Sequence, residues 1–178
     1  MEETNGGRFE EIISTMKKNV HFSSQSNEWA TPRLLFERIE SLTLGKRRFH
    51  LDPCCTAATK KCPYAFTMAD DGLARDWSFY ETVFVNPPYG REIGLWVRKA
   101  YEEWKKGATV ILLIPSRTDT KWWHAYCMAA KRIIFIQGRV KFEQAGRENI
   151  VSAPFPSCVV VFDGKKIDNF PKISRMMA

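Results

Sequence analysis

The sequence predicts an α/β domain built on a mostly parallel central sheet. Three observations carry that reading. Short apolar strands alternate with segments of helical periodicity, and Thr109–Ile114 is a continuous apolar run of the kind found in strands buried on both faces. Val83-Phe84-Val85 runs straight into two prolines, which end pairing and force the chain out of the sheet. With 178 residues, 44% of them hydrophobic, the chain is long enough to bury one core.

Residues 1–26 are polar, carry Gly6-Gly7 and show one weak apolar patch at Ile12-Ile13, so they are expected to be a flexible arm ahead of a single domain over 27–178. Thr31 suits a helix N-cap and Pro32 the first helical position. Leu35, Ile39 and Leu42 then recur at helical spacing, and Gly45 closes the helix. Phe49–Asp52 and Tyr64–Thr67 read as short strands. Ile93, Val97, Ala100, Tyr101 and Trp104 share a helical face that ends at Gly107. After the buried strand, Asp119 is expected to cap a helix through Ala130, followed by strands at Arg132–Ile136 and Cys158–Phe162. The interval Glu143–Pro156, with Gly146, Pro154 and Pro156, reads as a long loop of the kind that is either functional or disordered.

Charge and cysteine usage narrow the partners. Twenty-seven Lys and Arg against 20 Asp and Glu leave a net charge of +7, which favours an acidic partner such as nucleic acid, although a solvated lysine-rich surface gives the same count. No apolar run reaches the roughly 18 residues of a membrane span, and the first residues lack the pattern of a signal peptide, so a cytoplasmic protein is expected. The five cysteines form no Cys-x-x-Cys pair, which argues for reduced thiols and against a metal site.

The segment that carries chemistry is Asn86-Pro87-Pro88-Tyr89, at the carboxyl end of an apolar strand, where open α/β sheets place their ligand crevice. Chance would produce this tetrapeptide in on the order of one chain in a thousand of this length. A turn accounts for the prolines but not for the residue order after a strand. The Asn86 side-chain oxygen and the Pro87 carbonyl are both acceptors, and two acceptors can hold one NH2 group by both protons. An exocyclic amine is a poor nucleophile because its lone pair is delocalised into the ring, and fixed acceptors favour the pyramidal form that attacks an electrophile. Tyr89 offers a flat face for stacking.

Asn-Pro-Pro-Tyr resembles the catalytic motif of the S-adenosylmethionine-dependent amino methyltransferases. More closely, the chain is similar to the compact phage-type DNA N6-adenine methyltransferases of the Dam family. The resemblance runs from about Asn27 to Phe162, through Glu28–Pro32, Leu51–Cys54, Asp71-Gly72-Leu73 with Asp76-Trp77, Asn86–Gly90, Arg117–Trp123, Gly138–Phe142 and Ser152–Pro156. It implies a compact Rossmann-like methyltransferase fold whose first half is trimmed and which carries an antiparallel strand near the C-terminus. It implies transfer of a methyl group from S-adenosylmethionine to the N6 amine of a flipped adenine in DNA, with Asn86, Pro87, Pro88 and Tyr89 as the catalytic residues.

Carried over by position, Trp29, Thr31, Pro32, Asp52, Pro53, Cys54, Asp70 and Asp71 would bind the cofactor, with Asp71 preferred over Asp70. Asp-Pro-Cys-Cys-Thr replaces the glycine-rich loop familiar at this point, and Asp52 and Asp71 also suit ordinary turns. Arg117, Lys121, Trp122 and Arg139 combine phosphate-seeking cations with a ring, and Phe142 is a candidate base-stacking residue. Trp122 and Phe142 serve equally well as core. The resemblance points to a phage or prophage protein in a bacterial host, with DNA as partner and without an obligate protein partner. The alternatives are the same chemistry on N4-cytosine, RNA adenine or protein glutamine, and a nucleic-acid-binding module without catalysis.

Overall fold

The computed structural model describes residues 29–143, 151–164 and 172–177, so the expected N-terminal arm and the tip of the Glu143–Pro156 loop lie outside the described residues. Helix α1 spans Arg33–Leu44 and buries Phe36, Ile39, Glu40 and Leu44. Phe36 meets Phe49 and Phe84 at ring-centroid distances of 5.2 and 5.0 Å. The N-cap is Pro32, whose carbonyl accepts from Phe36 N–H at 3.0 Å, so Thr31 is not the capping residue the sequence suggests. Gly45, at φ +65°, ends the helix in the left-handed region that glycine tolerates. Glu40 is buried but neutralised: it accepts from Phe49 N–H at 2.7 Å and from the Arg48 guanidinium.

Strands β1 (Leu51–Asp52), β2 (Tyr64–Ala65) and β3 (Thr82–Val85) follow, then helix α2 (Ile93–Lys105) and strand β4 (Thr109–Pro115). All seven residues of β4 are buried, as its apolar run demands. Helix α3 (Lys121–Ala125) leads to β5 (Arg132–Gln137), the short β6 (Lys141–Phe142) and β7 (Val151–Ser152), β8 (Ser157–Phe162) and β9 (Lys172–Met177). Seven strands form one sheet in the order β2-β1-β3-β4-β8-β5-β9, in which only β8 runs antiparallel to its neighbours. This is the mostly parallel sheet with one reversed strand that the resemblance implies. Strands β6 and β7 pair separately.

Two elements depart from the sequence reading. The helix expected from Asp119 to Ala130 is broken into α3 and a 3₁₀ turn at Cys127–Ala129, because Tyr126 (φ −127°, ψ −50°) leaves the helical region. That break still buries both Trp123 and Cys127. Strand β9 has neither alternation nor a continuous apolar run, so its parallel pairing with β5 has no local signal.

Candidate active site

Parallel strands deliver their carboxyl ends to one edge of the sheet, and the chain's order along that edge decides where a crevice opens. From β1 the next strand, β2, lies on one side, while β3 lies on the other. The switch point therefore falls between β1 and β3, with Leu51 opposite Val83. Asp52-Pro53-Cys54 leaves β1 there, and Asn86 leaves β3. Cys54 also lies close enough to the Asn86 backbone for its thiol to interact with it.

Asn86 is held at both ends of its amide. Nδ2 donates to the Trp29 carbonyl, and Oδ1 accepts from the Tyr89 hydroxyl at 2.6 Å. A carbonyl can only accept, so its partner must be the amide nitrogen, and this fixes which way the amide faces. One lone pair of Oδ1 is left over. Among the described residues no donor reaches the Pro87 carbonyl, so two acceptors, one on the buried Pro87 and one on the half-buried Asn86, remain free at the end of β3. The Trp29 carbonyl is itself anchored, since the next residue, Ala30, exchanges two backbone hydrogen bonds of 3.0 Å with Glu143 at the end of β6.

Tyr89 does not present the open stacking face that the sequence suggests. Its ring is 6% exposed and sits against Phe142 and Phe155 at 5.8 and 5.3 Å, in near-perpendicular contacts. Its hydroxyl lies 3.1 Å from the Leu113 carbonyl as well as near Asn86, and burial pushes the phenol well above its ordinary pKa, so it stays a neutral donor. Phe142, expected as a stacking contact for a base, is fully buried against Trp29 and Tyr89. A large apolar ring releases more free energy inside this cluster than exposed beside it. Pro88, by contrast, is exposed at the turn.

The residues expected to hold the cofactor fall into two groups. Asp52, Pro53 and Cys54 leave β1 at the switch point, and Thr31 and Pro32 stand at the start of α1, two and three residues past Trp29, whose carbonyl holds Asn86. The Thr31 hydroxyl is buried with no partner, and the α1 N-terminus beside it has no side-chain cap. Asp52 is 6% exposed, and its carboxylate accepts two long bonds, 3.3 Å from Cys54 N–H and 3.8 Å from the Cys54 thiol. Desolvation raises its pKa to about 6. Asp70 and Asp71 stand on the next loop. The Asp70 carboxylate is engaged by the Thr67 N–H and hydroxyl, both at 2.8 Å, which lower its pKa, while the exposed Asp71 side chain has no partner among the described residues. That loop is fastened to the first: a methyl group on Gly72 would stand 1.9 Å from the Pro53 carbonyl oxygen, and the Gly72 carbonyl accepts from Trp77 Nε1 at 2.8 Å. Asp71-Gly72-Leu73 with Asp76-Trp77 is in this respect a structural motif, a role that spacing alone does not reveal. Trp29 contributes its carbonyl to Asn86, and its ring packs on Phe142 and Phe155.

Arg117 and Lys121 follow β4, and Arg139 follows β5, all exposed on the same edge and none in an ion pair among the described residues. Trp122 is partly buried, with its ring against Gly94 at the start of α2, which makes it a packing residue at least in part. Sequence reasoning missed Phe155, the Leu113 carbonyl and the Ala30–Glu143 bridge. A phenylalanine between two prolines carries no signal of its partner, and backbone partners leave no trace in side-chain identity.

A parallel sheet with one reversed strand and a crevice at its switch point is the architecture of the class I methyltransferases. The chain superposes on a Listeria monocytogenes protein assigned to the class I S-adenosylmethionine-dependent methyltransferases with a TM-score of 0.55, covering 93% of this chain and 71% of that one at 12% identity, a likeness of fold. Residues 18–176 match the family of DNA N-6-adenine-methyltransferases (Dam), and the chain belongs to that family. It is 28% identical over 120 residues to the DNA N-6-adenine-methyltransferase of Escherichia phage T1, covering 67% of this chain and about half (49%) of that relative's length. It is also 28% identical over 153 residues to that of Haemophilus phage HP1, covering 84% of this chain and 86% of the relative.

Proposed function

We propose that this chain is an S-adenosylmethionine-dependent DNA methyltransferase that methylates the N6 amine of adenine. The observation that carries the reading is the Asn86 amide, clamped so that Oδ1 keeps one free lone pair next to the free Pro87 carbonyl. Two fixed acceptors take the two N–H bonds of one exocyclic amine and turn its lone pair out of the ring plane. In duplex DNA that amine is paired, so the base must leave the stack before Asn86 and Pro87 can hold it. Their contribution is position and polarity, since the amine turns acidic only after transfer.

The methyl donor would supply an electrophilic methyl group. The residues along β1 and α1 fit its methionyl end: the uncapped α1 N-terminus and the partnerless Thr31 hydroxyl suit a carboxylate, and the buried Asp52 suits a cationic amine. Pro53 and Cys54 would border the ligand, and Asp71 rather than Asp70 would take its ribose or adenine. Arg117, Lys121 and Arg139 are suited to phosphate. Both phage relatives support the expectation of a phage or prophage protein acting on DNA in a bacterial cytoplasm, and no described helix is long and apolar enough to cross a membrane.

The test is to express the chain and its Asn86→Ala variant in a host lacking adenine methylation, then digest the DNA and quantify modified nucleosides by mass spectrometry. N6-methyladenine with the parent chain alone is the expected result. N4-methylcytosine would move the reading to another amine, and unmodified DNA would refute it.

A further inference from the structure

Among the described residues Asp71 is the one non-glycine at positive φ, with φ 51° and ψ 76°. Outside glycine that backbone is uncommon, and it persists where the surroundings over-determine it. We propose that Trp77 positions Asp71 for the methyl donor: its indole N–H fixes the Gly72 carbonyl, and so holds the residue before it where the ligand's ribose or adenine is met. The inference rests on the placement of Asp71 given above.

Trp77 is itself held in place. It is fully buried, and its backbone N–H donates at 2.9 Å to Glu103, a carboxylate on α2 with no exposed surface. Lys99 and Lys106, at 2.7 and 2.8 Å, compensate that buried charge, and a charged acceptor makes the bond to Trp77 a strong one. The ring lies nearly parallel to Trp96, with centroids 6.2 Å apart and planes at 22°, and the Lys99 ammonium stands 5.5 Å from its centroid. With backbone and ring both held, Nε1 has one direction in which to donate, and the Gly72 carbonyl is there at 2.8 Å.

From that bond the constraint passes along the chain. A Cβ on Gly72 would stand 3.2 Å from the Trp96 ring, so the backbone there rests directly on α2, the helix that follows the Asn86–Tyr89 turn. On the other side of Asp71, the Thr67 N–H and hydroxyl hold the Asp70 carboxylate and close the 3₁₀ turn at Met68–Asp70. The Asp71 carbonyl accepts from Ala74 N–H at 2.9 Å. Asp71 is thus fixed through its backbone on both sides, while its exposed carboxylate has no partner among the described residues. A group ordered in advance costs a ligand less to engage. Removing the indole N–H would leave the buried Gly72 carbonyl unpaired and let Asp71 relax out of its left-handed conformation.

The test is a cycle of Trp77→Phe, Asp71→Gly and the double variant, with S-adenosylmethionine affinity measured by calorimetry and amide hydrogen exchange measured on the ligand-free chains. Asp71→Gly tolerates the same φ and removes only the side chain. Trp77→Phe is expected to weaken the parent's affinity about tenfold, and that of Asp71→Gly by less than about twofold, since nothing is then left to position. Exchange at Asp71–Leu73 should quicken in Trp77→Phe while β4 keeps the parent's rates. Equal losses in both backgrounds, an affinity unmoved by Trp77→Phe, or unaltered exchange would each overturn the proposal. Should Trp77→Phe be too unstable to assay, benzothienylalanine in place of Trp77 keeps the fused ring, removes only the donor, and is read by the same outcomes. Failure of the underlying reading looks different. An Asp71→Gly chain that binds like the parent takes Asp71 out of the ligand site and the inference with it, and a parent chain without affinity for S-adenosylmethionine removes the site itself.

Discussion

Asp52 weakens the free protein at neutral pH, because burial disfavours its charged form. Its pKa in the folded chain is about 6, above the 3.8 of an exposed aspartate, so between those values the folded state binds more protons than the unfolded one. Stability from this group is therefore greatest in acid, declines as pH rises through the window, and above pH 6 carries the full penalty of about 3 kcal/mol for two pKa units. Asp52→Asn should raise the melting temperature at pH 7 while leaving it nearly unchanged at pH 4, which thermal melts across pH would show. A cationic ligand beside Asp52 favours its ionised form. Titrations of S-adenosylmethionine should thus tighten between pH 5 and 7 in the parent chain, and be weaker by tenfold or more and flat in Asp52→Asn. Equal slopes in the two proteins would place the cation elsewhere. Asn86→Ala, which removes the acceptor for the amine together with the bonds to the Trp29 carbonyl and the Tyr89 hydroxyl, should lower transfer at least a hundredfold and leave cofactor affinity within a few-fold in the same titration.

At the scale of elements, two loops are locked by a contact too close for any side chain. Gly72→Ala would push its methyl into the Pro53 carbonyl, so either loop must shift. A loss of about 1–3 kcal/mol in denaturant unfolding is expected, together with weaker cofactor binding, because Asp52 and Asp71 lie on the displaced segments. Unfolding at the parent's midpoint would show that the loops separate freely. The same segment shows how legible the elements were. Val83-Phe84-Val85 before two prolines and the buried run of β4 were readable because proline geometry and continuous apolarity act within a few residues. The ends of the strands at Phe49–Asp52 and Tyr64–Thr67 were overread, as only Leu51–Asp52 and Tyr64–Ala65 pair as strands. The overread residues still bond to neighbours, His50 N–H to Thr82 and Phe66 N–H to Asp52, so the extended reading was right and its extent was not. The helix from Asp119 ends at Tyr126, whose φ of −127° and ψ of −50° leave the helical region, although an unbroken helix would have placed Trp123 and Cys127 on the same buried face.

At the scale of the molecule, three parallel strands and the turn after β5 bring Arg117, Lys121 and Arg139 to the edge that bears Asn86. If these cations neutralise phosphates, DNA affinity should fall steeply with salt. Arg117→Gln and Lys121→Gln should each reduce the slope of log affinity against log salt by about 1, with cofactor affinity unchanged. Fluorescence anisotropy on a labelled duplex at several salt concentrations measures both, and an unaltered slope would remove these side chains from the interface.

The candidate site was legible in part. Asn86, Asp52 and Thr31 were marked by residue type at strand and helix ends, whereas the inward turn of Tyr89 and Phe142 was not. By itself the sequence determined the elements whose cause is local: the strand stopped by two prolines, the glycines past helix ends, and the apolar run that must be central. Only the tertiary structure decided the strand order that opens the crevice and the partners of Asn86, one of them a carbonyl 57 residues away. Such partners are main-chain oxygens, identical in every residue, and their approach is set by packing that no short window of sequence contains.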